Sequence, residues 1–230
     1  MSDGGSRRSL AGWLARAGAA LRGTLDYAEL SHTAGGTVHP SKGLPRFMTG
    51  MRRLPAPVIV DLGSAIGQNV TFLGNQLGCK LHIEDVFGDV DRLKRAGQAS
   101  EIAGLLGRRF THADASIDGV LCWDLIDHLR ADGAAALAGE LTRIVKPGGL
   151  ILAQFATVRS EAARYRKYAI VDECHLQHRN CEAAQAPERL WSSRDVQRLF
   201  GTFAAEESFL LLHRQRETLL RKGAALDGGR

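Results

Sequence analysis

Short apolar runs alternate with helical patterns through the middle of the chain. Residues 58–62 form an apolar run bounded by Pro57 and Gly63, which fits a strand covered on both faces of a parallel sheet. Repeated alternation of this kind predicts parallel strands joined by helices on both faces. The expected strands are 58–62, 80–86, 118–123 and 150–156, and the expected helices are 66–77, 89–96, 99–107 and 131–145. The predicted fold class is therefore α/β, with a doubly wound, mostly parallel sheet.

The two flanks of this region carry different patterns. Residues 9–30 repeat apolar positions at helical spacing, whereas glycines and prolines make 31–57 mostly loop. After the alternating region, the expected elements are helices near 159–175 and 192–200 and a strand at 209–212. The predicted domains are an N-terminal helical arm and loop, 1–55, and a main domain, 56–230, with a helical lid at about 157–200.

The run at 58–62 opens into a turn of small residues. Glycines at the end of a strand let the backbone bend sharply and approach a ligand closely. The helix expected at 66–77 follows at once, so its N-terminus points at the same ligand. Many α/β proteins have such a turn, and alone it indicates a nucleotide-type site without identifying the ligand.

Two further segments narrow the possibilities. Lys146-Pro147-Gly148-Gly149 separates a helix from a buried strand, and residues 117–129 join a strand to an acid-His-Leu turn. In this order and spacing, these segments and the turn at 61–67 resemble the class I methyltransferases that depend on S-adenosylmethionine. The resemblance covers roughly residues 56–156. It implies a Rossmann-like methyltransferase fold with an antiparallel late strand, and we assign that strand to 209–212.

The resemblance implies S-adenosyl-L-methionine as the cofactor, with its methionine end at the turn. Two of the family's three turn glycines are matched, and Ala65 stands in place of the middle one, which narrows the turn. Asp61 is expected to hold the turn or to contact the methionine amino group through water, and its alternative role is to cap the following loop. The turn residues expected at the cofactor are Asp61, Gly63, Ser64, Ala65 and Gly67.

Beyond the second strand of this pattern, an acid is expected to accept hydrogen bonds from the ribose diol of the cofactor. Glu84 is the first candidate, because it directly follows an apolar strand residue, and Asp85 is the second; the other acid is expected to cap the next helix. Cys122 and Trp123 end the fourth strand and are expected beside the cofactor. The family's third strand has no clear counterpart: either 108–111 forms a short strand or the sheet is trimmed.

No catalytic residue stands out from the sequence. Methyl transfer depends mainly on positioning the acceptor and excluding water, and a base is needed only where the acceptor must lose a proton. His128 is the candidate base, and its alternative role is to cap and pack the next helix.

A cluster of potential metal ligands lies late in the chain. Cys174, His178 and Cys181 would share one face of a helix, and zinc can use such ligands. Because no second pair of ligands stands at zinc-finger spacing, we expect no metal. The aromatic residues of this region that are expected to cover the acceptor are Tyr165, Tyr168 and Trp191.

Bulk properties restrict the classes of function. The net charge is +5 with scattered basic residues, which favours a solvated surface over nucleic-acid binding. No apolar run reaches the length of a membrane span, and four cysteines without a secretory signal suggest reduced thiols in a cytoplasm. The leading prediction is methyl transfer to a small-molecule acceptor. The alternatives are a catalytically degenerate methyltransferase-fold binding protein and an RNA or protein methyltransferase.

Overall fold

The structure is a computed structural model that describes residues 35–224 of the 230-residue chain. The helix expected at 9–30 lies outside the described residues. The strands are β1 Thr37–Pro40, β2 Val58–Asp61, β3 Lys80–Ile83, β4 Ile117–Trp123, β5 Val145–Ala156, β6 Arg164–Asp172, β7 His175–Glu182, β8 Phe203–Leu210 and β9 Gln215–Lys222. The helices are α1 Gly43–Met51, α2 Gly67–Leu77, α3 Val86–Arg95, α4 Ile102–Arg109, α5 Ala131–Ile144 and α6 Ser193–Leu199, with 3₁₀ helices at Ala99–Glu101 and Leu125–His128.

Six strands form the main sheet in the order β3-β2-β4-β5-β9-β8. β2 pairs in parallel with β3 and β4, and β4 pairs in parallel with β5. β9 is antiparallel to both β5 and β8, so it runs against the other five strands. This arrangement confirms the predicted α/β class, with a mostly parallel sheet and an antiparallel late strand.

The late strand that is inserted antiparallel is not the one assigned from the sequence. Phe209 and Leu210 end β8, which runs parallel to β5, whereas residues 211–212 lie outside any strand. The chain reverses here because Leu211 N donates a hydrogen bond to Gln215 O at 2.8 Å. The inserted strand is therefore β9, which begins at Gln215.

The main sheet is trimmed where the resembling family has its third strand. β3 lies at the edge of the sheet beside β2. Residues 108–109 end helix α4, and residues 110–116 form no strand. Of the two alternatives for 108–111, the trimmed sheet is therefore correct.

Helices cover both faces of the main sheet. Val60 and Val120 point to one face, where they pack against α3, α4 and α5 in the first core. Ile59 and Leu121 point to the other face, where α1, α2 and a smaller sheet form the second core. Burial on both faces explains why β2 and β4 are apolar almost throughout.

This smaller sheet takes the place of the helical lid expected at about 157–200. Its order is β1-β7-β6, and both pairs are antiparallel. Within 157–200 only residues 193–199 are α-helical, so the helix expected at 159–175 is wrong. An extended β6 buries Tyr165 and Tyr168 against different parts of the main domain, and this packing outweighs the local helical pattern.

Two other expectations can be compared with the described residues. Of the segment expected to be mostly loop, the described residues 35–57 are not mostly loop, because 37–40 form β1 and 43–51 form α1; buried apolar residues of α1 pack in the second core. In the part of the chain that the structure describes, no helix combines the length and the apolar character that crossing a membrane requires.

Candidate functional site

The small-residue turn begins at Asp61, the last residue of β2. The Asp61 side chain is buried, and its Oδ1 accepts hydrogen bonds from Gly63 N at 2.9 Å and from Trp123 Nε1 at 2.6 Å. Burial raises the pKa of the Asp61 carboxyl, and the hydrogen bonds from Trp123 and Gly63 oppose that shift. Asp61 therefore holds the inner part of the turn through its own side chain.

The outer part of the turn faces solvent. Ala65 and Gly67 are exposed, Ser64 is half-buried, and α2 begins at Gly67. Ser64 Oγ donates to Asp85 Oδ1 at 3.3 Å. The turn after β2 and the acids after β3 thus meet at one edge of the main sheet, as parallel neighbours must.

The two acids after β3 have different surroundings. Glu84 keeps 22% of its side chain exposed, and its carboxylate lies 3.4 Å from Arg109 Nη2 and 3.6 Å from His112 Nε2. Asp85 Oδ1 accepts a hydrogen bond from Gly88 N at 3.2 Å and caps α3. The helix-capping role expected for one of these acids therefore falls to Asp85.

Trp123 reaches the turn from the end of β4. Its indole lies against Gly63 so closely that a Cβ built on Gly63 would be 2.8 Å from indole Cδ1 and Nε1. The indole stacks on Tyr168 of β6, with ring centroids 5.0 Å apart and planes at 4°. Cys122 is not beside the turn, because it points into the first core, where burial raises the pKa of its thiol.

These positions decide how well S-adenosylmethionine suits the site. The exposed turn residues and Glu84 offer the small side chains and the carboxylate that the cofactor needs. The methionine end would have to lie along the Gly63 face, and the Trp123 indole already fills that face. As they stand, the residues do not fit the methionine end of the cofactor.

Strand β6 contacts residues that follow β2, β3 and β4 along the chain. Asn69, in the first turn of α2, accepts from Ile170 N at 2.7 Å and donates to Tyr168 O at 2.9 Å. Gln68 Nε2 also donates to Ile170 O, at 2.7 Å. At the other end of the strand, the Tyr165 ring stacks on Phe87, the second residue of α3, with centroids 3.5 Å apart.

A buried polar network lies under β6. Asp124 Oδ2 is 3.3 Å from Arg166 Nη1, and Tyr168 Oη accepts from Gln215 Nε2 at 2.8 Å. Burial raises the pKa of Asp124 to about 6, although Arg166 opposes the shift. The sequence gives no signal for the roles of Asn69, Arg166 and Gln215, since a polar residue within a helix or strand pattern does not show that it will be buried or half-buried.

The candidate base His128 is packed away from solvent. Its ring meets Phe87 and Tyr165 edge-on, at centroid distances of 5.2 and 5.7 Å. Burial lowers the pKa of His128 to about 4, and its Nδ1 has no hydrogen-bond partner among the described residues. Neighbouring Asp127 accepts from Ala156 N at 2.7 Å through Oδ2, and burial raises its pKa well above the usual range.

The late cluster of potential metal ligands lies on a strand. His178 and Cys181 belong to β7, and Cys174 precedes it, so the three do not share a helical face. Across residues 35–224, no three potential ligands are placed to hold a metal ion together. The aromatic residues expected to cover the acceptor, which are Tyr165, Tyr168 and Trp191, are instead buried within the protein.

Comparison with known proteins gives similarity of structure alone. No protein-family model and no curated protein matches the chain. The PH0226 protein of Pyrococcus horikoshii is 15% identical with a TM-score of 0.48, and the match covers 86% of this chain and 92% of that one. The 1,6-didemethyltoxoflavin-N1-methyltransferase of Burkholderia thailandensis, solved with 1,6-didemethyltoxoflavin and S-adenosylhomocysteine, is 13% identical with a TM-score of 0.47, and the match covers 97% and 94%.

A SAM-dependent methyltransferase from Aquifex aeolicus is 12% identical with a TM-score of 0.45, and the match covers 86% of this chain and 100% of that one. Two of these three structures are named as methyltransferases, at 12% and 13% identity. The assignment of the fold rests on the strand order, with β9 inserted antiparallel between β5 and β8. That order agrees with the Rossmann-like fold expected from the sequence, without the third strand of the resembling family.

Proposed function

We propose that this protein binds S-adenosylmethionine at the carboxyl ends of β2 and β3 and transfers its methyl group to a small-molecule acceptor. One observation carries the proposal: the small-residue turn and the two acids form a single edge. Glu84 N donates to Asp61 O at 2.8 Å, which fixes the acids beside the turn. Ligands of open parallel sheets bind at this edge, beyond the carboxyl ends of the strands.

Glu84 is the proposed ribose ligand. A carboxylate can accept both hydroxyl hydrogens of a diol, and the Glu84 side chain is partly exposed. Asp85 is already engaged by Gly88 N and Ser64 Oγ, so it is less free to turn toward a ligand. The proposal also requires the Trp123 indole to leave the Gly63 face before the methionine end can enter.

Titration calorimetry with S-adenosylmethionine, S-adenosylhomocysteine and NADH tests the proposal. We expect low-micromolar binding of the first two ligands, which corresponds to about 8 kcal/mol, and no binding of NADH. Absence of binding at millimolar S-adenosylmethionine would contradict the proposal.

Two matched substitutions test which acid binds the ribose. Glu84→Ala should keep the fold and weaken cofactor binding by about 1.5–3 kcal/mol, the scale of a hydrogen bond to a charged group. Asp85→Ala is the control, and it should leave the cofactor affinity nearly unchanged. The opposite result would move the ribose ligand to Asp85.

A second candidate function is a methyltransferase fold that binds a ligand or partner without turnover. The Trp123 indole against Gly63 specifically favours this candidate, and Ala65 narrows the same turn. Calorimetry on Trp123→Ala separates the two functions. Cofactor binding by the variant alone, and not by the natural chain, would support the fold without turnover; binding by both would show that the indole does not exclude the cofactor.

A further inference from the structure

We propose that β6 is a strap over the Gly63 face of the small-residue turn, that Asn69 fastens it, and that it must be released before a ligand reaches that face. The identity of the ligand rests on the function proposed above, whereas the strap is argued from contacts within the fold. The Asn69 side chain is buried and makes a matched pair of hydrogen bonds with the β6 backbone at Ile170 N and Tyr168 O. The Asn69 side chain also hydrogen-bonds the Asp61 carboxyl, so Asn69 is a positioning residue that joins β6 to the turn.

One edge of β6 is held by side chains rather than by a second strand, so β6 is held less firmly than a strand paired on both edges. Among the strands of residues 35–224, β6 has one neighbour, β7, in the order β1-β7-β6. On its other edge, the Asn69 pair and the bond from Gln68 Nε2 to Ile170 O replace a strand-to-strand ladder. The residues that lead into β6, 158–162, are exposed, so they give little resistance to movement of the strand.

The strap holds Trp123 in place over the turn. Trp123 has φ +49°, a left-handed conformation that bulky residues rarely adopt. The Tyr168 ring on β6 stacks on the face of the indole, and Asp61 accepts a hydrogen bond from its N–H. When β6 leaves, the indole loses its stacking partner and can relax away from Gly63.

The strap is anchored at further points, and these do not depend on Asn69. Tyr165 stacks on Phe87, and Arg166 pairs with Asp124 at 3.3 Å. Both contacts lie toward the start of β6, whereas the Asn69 bonds lie at Tyr168 and Ile170. Removing Asn69 should therefore loosen the middle of the strand, where the bonds from Gln68 and Gln215 remain, while its first residues stay attached.

Hydrogen–deuterium exchange of Asn69→Ala tests the strap without any ligand. We expect exchange at the Ile170 amide and its neighbours in β6 to rise about tenfold, which corresponds to about 1.4 kcal/mol, the size of one hydrogen bond. Asn75→Ala is the matched control, since Asn75 is exposed on the same helix. It should leave exchange in β6 unchanged. Unchanged exchange in Asn69→Ala, or an equal rise throughout the protein, would overturn the strap.

Stopped-flow binding of S-adenosylmethionine then tests whether the strap controls access. The association rate of Asn69→Ala should exceed that of the natural chain by a factor similar to the exchange effect, and Asn75→Ala should match the natural chain. Cofactor binding with equal rates in all three proteins would overturn control by the strap. If none of the three proteins binds the cofactor but exchange in β6 rises in Asn69→Ala as expected, the proposed cofactor function is rejected. The fastening of β6 by Asn69 is then still supported.

Discussion

The main sheet and the small sheet bury their strands in different ways. Every residue of β4 is buried between two parallel neighbours and two helical layers. In β6 the buried residues are Tyr165 and 168–170, the rest are half-buried or exposed, and one edge is bonded to side chains of α2. A doubly covered strand is recognisable by its apolar content alone. A strand buried by particular side chains of its neighbours is not.

This difference explains which elements the sequence could predict. β2 was expected at 58–62 and is found at Val58–Asp61, and α5 was expected at 131–145 and is found at Ala131–Ile144. Their hydrophobic patterns have the period of the element that forms. The start of β6 follows Glu161-Ala162-Ala163, which favours a helix by propensity. Pairing with β7 and the distant rings of Phe87 and Trp123 stabilise the extended form instead.

In the candidate site, too, some positions could be predicted from the sequence and others could not. The turn after β2 and the acids after β3 could be placed together, because the carboxyl ends of adjacent parallel strands meet. The position of the Trp123 indole could not be predicted, because it depends on a shift in β4–β5 pairing between Leu121 and Trp123 and on a positive φ. The two hydrogen bonds of Asn69 to β6 depend on a strand that is distant in sequence, so no local pattern predicts them.

The largest expected effect comes from the main sheet. Leu121→Ala removes a fully buried side chain from the second core and should lower the free energy of unfolding by about 2–5 kcal/mol. Urea unfolding followed by fluorescence and by circular dichroism measures it. Val158→Ala is the control, because Val158 is 43% exposed and should change stability by less than about 0.5 kcal/mol. Similar losses of stability in the two variants would mean that the buried core of the main sheet contributes no more to stability than the exposed segment before β6.

A pH-dependent effect should appear where the two sheets meet at Asp124. Burial raises its folded-state pKa to about 6, above the usual 3.8, so its contribution to stability is present below about pH 4 and is lost as the pH rises through about 6. Asp124→Asn removes this loss. Between pH 4 and pH 7, the unfolding free energy of Asp124→Asn should rise relative to that of the natural chain by up to about 3 kcal/mol.

Urea unfolding of both proteins across this pH range measures the gain. Glu161→Gln removes one charge from an exposed position and controls for the change in net charge. A constant difference between Asp124→Asn and the natural chain from pH 4 to pH 7 would show that β6 does not keep Asp124 out of water.

A smaller effect is expected from the indole that covers the turn. Trp123→Phe keeps a ring against Tyr168 but deletes the N–H that Asp61 accepts, so it should cost about 1.5–3 kcal/mol. Trp191→Phe is a matched control, because Trp191 is also buried but its Nε1 has no hydrogen-bond partner among the described residues. Thermal or urea unfolding compares the two. Equal losses would mean that the bond to Asp61 contributes little to holding the indole.

The smallest effect separates the two acids at the edge where both sheets approach the turn. Asp85→Ala removes the cap of α3 and should lower stability by about 1 kcal/mol. Glu84→Ala removes only long contacts to Arg109 and His112, at 3.4 and 3.6 Å, and should cost about 0.5 kcal/mol or less. Urea unfolding without ligand measures both values. If Glu84→Ala were the more destabilising change, Glu84 would be tied to the fold rather than free for a ribose, and the proposed division of roles between the acids would be reversed.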